Sequence, residues 1–394
     1  MTTDDFAQYR HVARAGHVPS FDTPPSSPPI YQTAAFDIPD PEFLAAMRAG
    51  EASGYVYTRD GNPNHAALAA TIAKMENAEA GAVFASGMGA IAAVLLSLAG
   101  TGDHIVASRL LYGRTSQLLE RFTHQFGIEV SSIDVGNPDA VKAAVRANTR
   151  LCLVETISNP LLDVVDIAAV ANALGRIPLV VDSTFTTPEL IRPLDHGASV
   201  VIHSASKYLN GHGDVMLGVA AGSGSLMKSA AETASQFGQN ANPFESWLTQ
   251  RGLRTLPLRM KQICETTNRL AKFLAGHPCV RRVCHPAVNS HPGYDTARRL
   301  YPNGTGGIIS ILLADDSEAA VARFMRAAEQ IPFSPTLADA RTTVSHPAST
   351  SHRYMTVQQR TDLGITAGLM RLSVGLEPFE LLRHELDQAL RNCS

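Results

Sequence analysis

The sequence predicts an α/β protein, with a large domain built on a mostly parallel sheet and a smaller C-terminal α+β domain. Three observations predict it. From about His65, short apolar runs alternate with helical stretches, the pattern of strands laid side by side under helices. Ser86, Asn159, Asp182 and Lys207 all stand just past such runs, and sheets of this kind bind ligands beyond the carboxyl ends of their strands. At 394 residues the chain exceeds one small core, so two bodies are expected.

Taken in order, residues 1–59 hold few long periodic segments. Pro24, Pro25, Pro28 and Pro29 stiffen an extended arm, with one short helical pattern at Pro41–Ala49. An arm that buries little of itself lies against its own body or a neighbouring subunit. His65–Glu76 reads as helix, Gly81–Ala85 as strand, Ser86–Gly89 as turn and Ala90–Leu98 as helix. Strands follow at His104–Ala107, Leu151–Glu155, Pro178–Asp182 and Val200–His203, with helix between at Asp166–Leu174. Pro243–Leu248, with Trp247, is a helical packing patch. A long amphipathic helix runs from Arg259 to Leu274. Strands at Gly307–Leu313 and Leu369–Val374, with helices Glu318–Gln330 and Glu380–Leu390, make the second domain. The boundaries are therefore 1–59 for the arm, 60–258 for the large domain and 259–394 for the small one.

Composition excludes several classes. The chain is 45% hydrophobic and 18% charged, with net charge −3, so nothing favours nucleic acid or an anionic membrane. The longest apolar run, around Ile91–Ala99, is too short to span a bilayer. The polar, acidic start (Thr2, Asp4, Asp5) is unlike a signal or transit peptide, and a cytoplasmic location is expected. Five cysteines, an odd number without CxxC, argue against a disulfide framework. Cys279 and Cys284 lie near His277, His285 and His291, but their spacing fits no common zinc pattern, and no metal is expected.

The candidate site residues each carry a chemical reason. In Val200-Val-Ile-His-Ser204-Ala-Ser206-Lys207, the two serines share a face of extended chain and can donate to phosphate oxygens. Lys207 follows where strand gives way to loop; partial desolvation there makes an amine nucleophile, although an isolated lysine after a strand is usually just a surface charge. Strand, glycine-bearing turn and helix N-terminus at Ser86-Gly87-Met88 form an anion site, with N–H groups at Gly87 and Met88; such turns also serve plain packing. Asp182 closes a buried run and needs a partner: a helix end, an arginine or a protonated heterocycle. Tyr57 and Arg59 face one way and suit a phosphate or carboxylate, or form only a surface pair. Arg371, amid Met370 and Leu372, suits a substrate carboxylate or a buried ion pair.

Together these segments resemble the Cys/Met-metabolism family of pyridoxal-phosphate (PLP) enzymes, the cystathionine γ-synthase-like group of the aminotransferase superfamily. The resemblance runs from Tyr57 to Glu377. It rests on Tyr57-Thr-Arg59-Asp-Gly-Asn-Pro, Ser86-Gly87-Met88, Leu-Tyr112-Gly, Glu155-Thr-Ile-Ser-Asn159-Pro, Asp182-Ser-Thr-Phe, Ser204-Ala-Ser206-Lys207-Tyr, His346-Pro-Ala-Ser-Thr-Ser-His352 and Arg371-Leu-Ser-Val-Gly.

The resemblance implies the fold type I PLP-dependent transferase fold and a set of roles. Lys207 would carry the cofactor covalently and then shuttle protons. Asp182 would keep the pyridine nitrogen protonated, and Tyr112 would stack on the ring and help the leaving group depart. Gly87, Met88, Ser204 and Ser206, beside Ser86, would hold the phosphate. Tyr57 and Arg59 would reach the phosphate of a neighbouring subunit's cofactor, making a dimer the smallest active unit within a homotetramer. Asn159 and Arg371 would bind the α-carboxylate of an amino-acid substrate, with Thr336 nearby. The expected reaction is γ-elimination or γ-replacement on sulfur-containing or O-acyl-homoserine amino acids.

This chain also departs from the family pattern. Ser183 follows Asp182 where asparagine is common, and Ser206 replaces threonine. Thr336-Leu337-Ala338 stands for Ser-Leu-Gly, with Pro335 where cystathionine lyases carry glutamate. Arg114 replaces the cysteine of methionine γ-lyases and would favour an anionic side chain. The stretch Asp339–His352 looks most like the homoserine-ester sulfhydrylases. These departures leave open another PLP reaction on the same scaffold. A regulator with an aminotransferase-like body would need a basic N-terminal DNA-binding module, and the first 59 residues are not basic.

Overall fold

A computed structural model describes residue 23 and residues 25–392. The polar N-terminal residues, Pro24 and Cys393 lie outside the described residues. The stretch up to Ile30 is one unit; its described residues carry no helix or strand and are exposed. Tyr31–Ser394 is the other unit.

Residues 31–59 are tied together locally. Phe36 N–H donates to the Val56 carbonyl at 3.0 Å, and the Asn62 amide donates to the Tyr31 carbonyl at 2.9 Å. The helix Pro41–Ala49 starts on an Asp40 cap and stops at Gly50, whose φ of 77° suits glycine. It buries none of its residues.

The large sheet has seven strands: β1 (Ala80–Phe84), β2 (His104–Ser108), β3 (Glu129–Ile133), β4 (Thr149–Glu155), β5 (Leu179–Asp182), β6 (Val200–Ser204) and β7 (Gly218–Gly222). Their order is β1-β7-β6-β5-β4-β2-β3, and only β7 runs against the others. Val106, Cys152, Val154, Val181 and Val201 feed one apolar layer. Their chain neighbours Ile105, Leu151, Leu153, Val180 and Val200 feed the layer on the opposite face. Both faces are covered, which is why these strands read as unbroken apolar runs.

The second sheet is antiparallel: β8 (Val280–Cys284), β9 (Ile308–Leu313), β10 (Thr343–Ser345) and β11 (Leu369–Ser373), in the order β10-β11-β9-β8. The 20-residue helix Leu256–Ala275 links the apolar cores of the two sheets. Its Leu256, Met260 and Ile263 enter the first core, and its Leu270, Ala271 and Leu274 enter the second. The three histidines beside the cysteines serve as local caps: the Nδ1 atoms of His277, His285 and His291 accept the N–H of Cys279, Ala287 and Gly293. Among the described residues no cluster of three potential metal ligands forms, and no helix is long and apolar enough to cross a membrane.

Candidate active site

The carboxyl ends of β4, β5 and β6 open into a cavity of about 410 Å3. Ser86, Gly87, Met88, Tyr112, Arg114 and Asn159 line it, as do Asp182, Ser204, Ser206, Lys207 and Arg371. Sheet register explains this convergence. Gly218 of β7 lies opposite both Phe84 and Ser204, so the turn after β1 comes beside the end of β6.

That turn is a helix N-terminus. Ser86 caps the helix Gly87–Leu98, its Oγ accepting the Gly89 N–H at 3.0 Å. The N–H groups of Gly87 and Met88 are left pointing out of the first turn. The approach is too close for side chains. A Cβ on Gly87 would lie 2.8 Å from Ser204 Cβ, and one on Gly218 would lie 2.1 Å from the Ser86 carbonyl oxygen. The small residues let two backbones meet closely. Ser206 is already engaged, its hydroxyl accepting the Leu217 N–H at 3.0 Å.

Lys207 sits in the turn after β6. Its Nζ donates to Thr336 Oγ1 at 3.3 Å. Burial, and then the Arg371 charge, hold its ammonium below the ordinary lysine range. Arg259 fixes the same turn from beneath, donating to the carbonyls of Tyr208 and Leu209 at 2.7 and 3.2 Å and to that of Gly252 at 2.9 Å. Gly211 has φ 78°, and a Cβ there would fall 2.0 Å from Arg259 Nη1. The turn that carries Lys207 is therefore firmly held.

The cavity floor carries two carboxylates. Glu155 and Asp182 end adjacent parallel strands in register. Asp182 Oδ1 accepts both the N–H and the hydroxyl of Thr184, at 2.9 and 2.5 Å. Glu155 Oε1 accepts the Tyr112 N–H at 2.5 Å. Burial raises both acids above their usual range, and the Asp182 charge raises Glu155 further. A floor of this kind accommodates a cation, and a protonated ring nitrogen is one.

Arg371, on β11, is 2% exposed. Its Nη1 donates to Asn159 Oδ1 at 2.8 Å, its Nε has no acceptor among the described residues, and burial lowers its pKa to about 10. It is a buried cation whose recorded partner is neutral, so it is not the buried ion pair that its sequence setting also allowed. Tyr57 and Arg59 do not line the cavity. They are exposed, with the Arg59 guanidinium 4.9 Å from the Tyr57 ring centre.

The sequence reading did not select Glu155, Thr184, Arg353 or Tyr354 as site residues. Glu155 was within reach, because it terminates an apolar strand just as Asp182 does. Arg353 and Tyr354 sit on a loop, and no local pattern marks them.

The donors present fit pyridoxal phosphate: an anion cradle, a poised amine, an acidic floor and an unneutralised guanidinium share one cavity. The comparisons agree. L-methionine γ-lyase of Pseudomonas deceptionensis is 40% identical over 369 residues, covering 92% of each chain. O-succinylhomoserine sulfhydrylase of Pseudomonas aeruginosa is 38% identical over 364 residues, 92% of this chain and 90% of its own. The crystal structure of cystathionine γ-synthase from Xanthomonas oryzae pv. oryzae in complex with cystathionine superposes with a TM-score of 0.87 at 34% identity, over 93% of each chain. A family model matches residues 11–391, and the chain belongs to the Cys/Met metabolism PLP-dependent enzymes.

Proposed function

We propose that this enzyme carries out γ-elimination or γ-replacement on an amino acid with a sulfur or O-acyl substituent at its γ carbon. The observation that carries this reading is the buried, poised Lys207 amine sharing one cavity with Asp182 and with the Arg371–Asn159 pair. Methionine γ-lyase, homoserine-ester sulfhydrylase and cystathionine γ-synthase relatives support it. Bound here, pyridoxal phosphate supplies an electron sink that acidifies the protons on the substrate's α and β carbons.

The chain's own residues do the rest. The N–H groups of Gly87 and Met88, with Ser204 and Ser206, hold the phosphate. Asp182 keeps the ring nitrogen protonated, and Thr184 orients Asp182. Lys207 anchors the cofactor and, once released by substrate, moves protons at the α and β carbons. Arg371 and Asn159 grip the α-carboxylate, with Thr336 beside them. Tyr112 covers the ring and donates a proton toward the departing γ group. Tyr57 and Arg59, turned to solvent in one subunit, serve the phosphate of a neighbour's cofactor. A dimer is then the smallest active unit, within a homotetramer. The unburied helix Pro41–Ala49 and the exposed Met216 and Leu258 support such contacts.

The test is an absorbance spectrum of the purified protein, followed by assay with L-methionine, L-cystathionine and homoserine esters. The expected visible band disappears in Lys207→Ala. Release of 2-oxobutanoate without thiol marks elimination, and thioether formed only with added thiol marks replacement. A protein with neither band nor product after reconstitution overturns the proposal.

A further inference from the structure

Two more guanidiniums, those of Arg114 and Arg353, stand at this cavity. Arg114 lies in the first turn of the helix Gly113–Phe126. Its Nη2 donates to the Tyr354 hydroxyl at 2.5 Å and its Nη1 to Gln117 Oε1 at 3.0 Å. Arg353 donates to the same hydroxyl. The guanidinium carbons of Arg114 and Arg353 lie 4.4 and 4.6 Å from the Tyr354 ring centre. All three residues line the cavity that holds Lys207.

The arrangement is electrostatically unbalanced. Two like charges hang on one phenol, which attracts both but neutralises neither. Among the described residues neither guanidinium meets a carboxylate. The cavity's own acids, Glu155 and Asp182, lie at the strand ends and are bonded to Tyr112 and Thr184. A cation in the first turn of a helix also faces the positive end of the dipole, where acids are favoured. An anion lying against both arginines relieves every one of these terms. The substrate's α-carboxylate cannot be that anion if Arg371 holds it, so the substrate must bring a second negative charge.

We propose that Arg114 and Arg353, carried on Tyr354, are specificity-determining residues that select substrates whose γ substituent is itself anionic, a dicarboxylic acid monoester or a phosphate ester. This rests on the reading that the cavity binds a γ-substituted amino acid, and it deepens that reading. The binding test is independent of turnover. The holoenzyme is titrated with L-2-aminoadipate and with L-norleucine, followed by the cofactor absorbance. The two ligands have six-carbon chains, and only the first ends in a carboxylate.

The wild type should bind L-2-aminoadipate about tenfold more tightly, with the advantage shrinking as salt rises. In the Arg114→Gln/Arg353→Gln variant the advantage should fall to about twofold or less, and Arg114→Lys/Arg353→Lys should restore most of it. Equal affinities in the wild type, or a preference that survives the glutamine variant, overturn the proposal. Neither ligand has a γ leaving group, so those outcomes are separate from failure of the γ-chemistry, which shows as no product from any ester. Relative kcat/KM for O-succinyl-, O-phospho- and O-acetyl-L-homoserine then identifies the anion, and an O-acetyl value equal to or above both acidic esters also overturns the proposal.

Discussion

Arg371→Met should separate stability from activity. The methionine keeps much of the side-chain volume and removes the charge. Burial has lowered the guanidinium pKa to about 10, well below the ordinary arginine range, which corresponds to about 3 kcal/mol of penalty for keeping the cation in place. Against this, Asn159 Oδ1 loses a charged donor now at 2.8 Å, worth about 1.5–3 kcal/mol. The two nearly cancel, so unfolding of the apoenzyme in urea should change by about 1 kcal/mol or less. Catalysis has no such compensation. A substrate carboxylate deprived of its charged hydrogen bond loses about 2–3 kcal/mol, or about 100-fold in kcat/KM. The pair of measurements is a urea melt of the apoenzyme and the initial rate of product release from a γ-substituted amino acid. A loss of stability above about 3 kcal/mol would make Arg371 a structural residue. A kcat/KM within about threefold of wild type would place the carboxylate elsewhere.

Capture of pyridoxal phosphate by the apoenzyme should speed up with pH, with a midpoint below the ordinary lysine value of about 10.4; Arg371→Met, by removing a nearby positive charge, should move the midpoint upward. Because burial raises the Asp182 and Glu155 pKa values, these two groups hold protons in the native apoenzyme that they lose in the unfolded chain above about pH 4, so their own contribution to stability falls as pH rises from there. Asp182→Asn should therefore be more stable than wild type at pH 7 in urea melts, with the gain vanishing near pH 4; a gain independent of pH contradicts the assignment. Gly218→Ala should weaken cofactor binding, measured by absorbance titration, because its Cβ would fall 2.1 Å from the Ser86 carbonyl and push the phosphate turn aside. Ala338 sits at φ 64°, a left-handed conformation costing about 1–2 kcal/mol for a non-glycine residue, but its methyl is buried, so in Ala338→Gly the relief of strain is offset by about 0.8 kcal/mol of lost burial and by glycine's extra chain entropy, and stability should change by less than about 1 kcal/mol; a loss above about 2 kcal/mol refutes this.

The parts of the site legible in the sequence are those at strand ends. Leu151–Glu155, Leu179–Asp182 and Val200–Ser204 are apolar runs that stop at a polar residue, and the stop marks the rim of the sheet. Strand β7 was illegible for an equally physical reason. Its Gly-Val-Ala-Ala-Gly is small because Ser86 crosses Gly218 and the Ser199 carbonyl lies 2.9 Å from where a Gly222 Cβ would be, a constraint that leaves no periodic signal. Strand β3, at the sheet edge and only half-buried, lacked the apolar run altogether.

Charge pairings were the hardest to foresee, because they join distant residues. Arg371 reads alone as half of an ion pair, and only the fold shows that its partner is the neutral Asn159, 212 positions away. Arg114 reads alone as a departure from a motif. It acquires meaning when a loop 240 positions later brings Tyr354 to it, with Arg353 on the same hydroxyl. Strand-end chemistry is thus written locally, one residue at a time, whereas the sign and balance of charge in the cavity exist only once the strands and loops have met. That balance, with acids at the strand ends and guanidiniums around Tyr354, is the observation on which the expected preference for an anionic γ substituent rests.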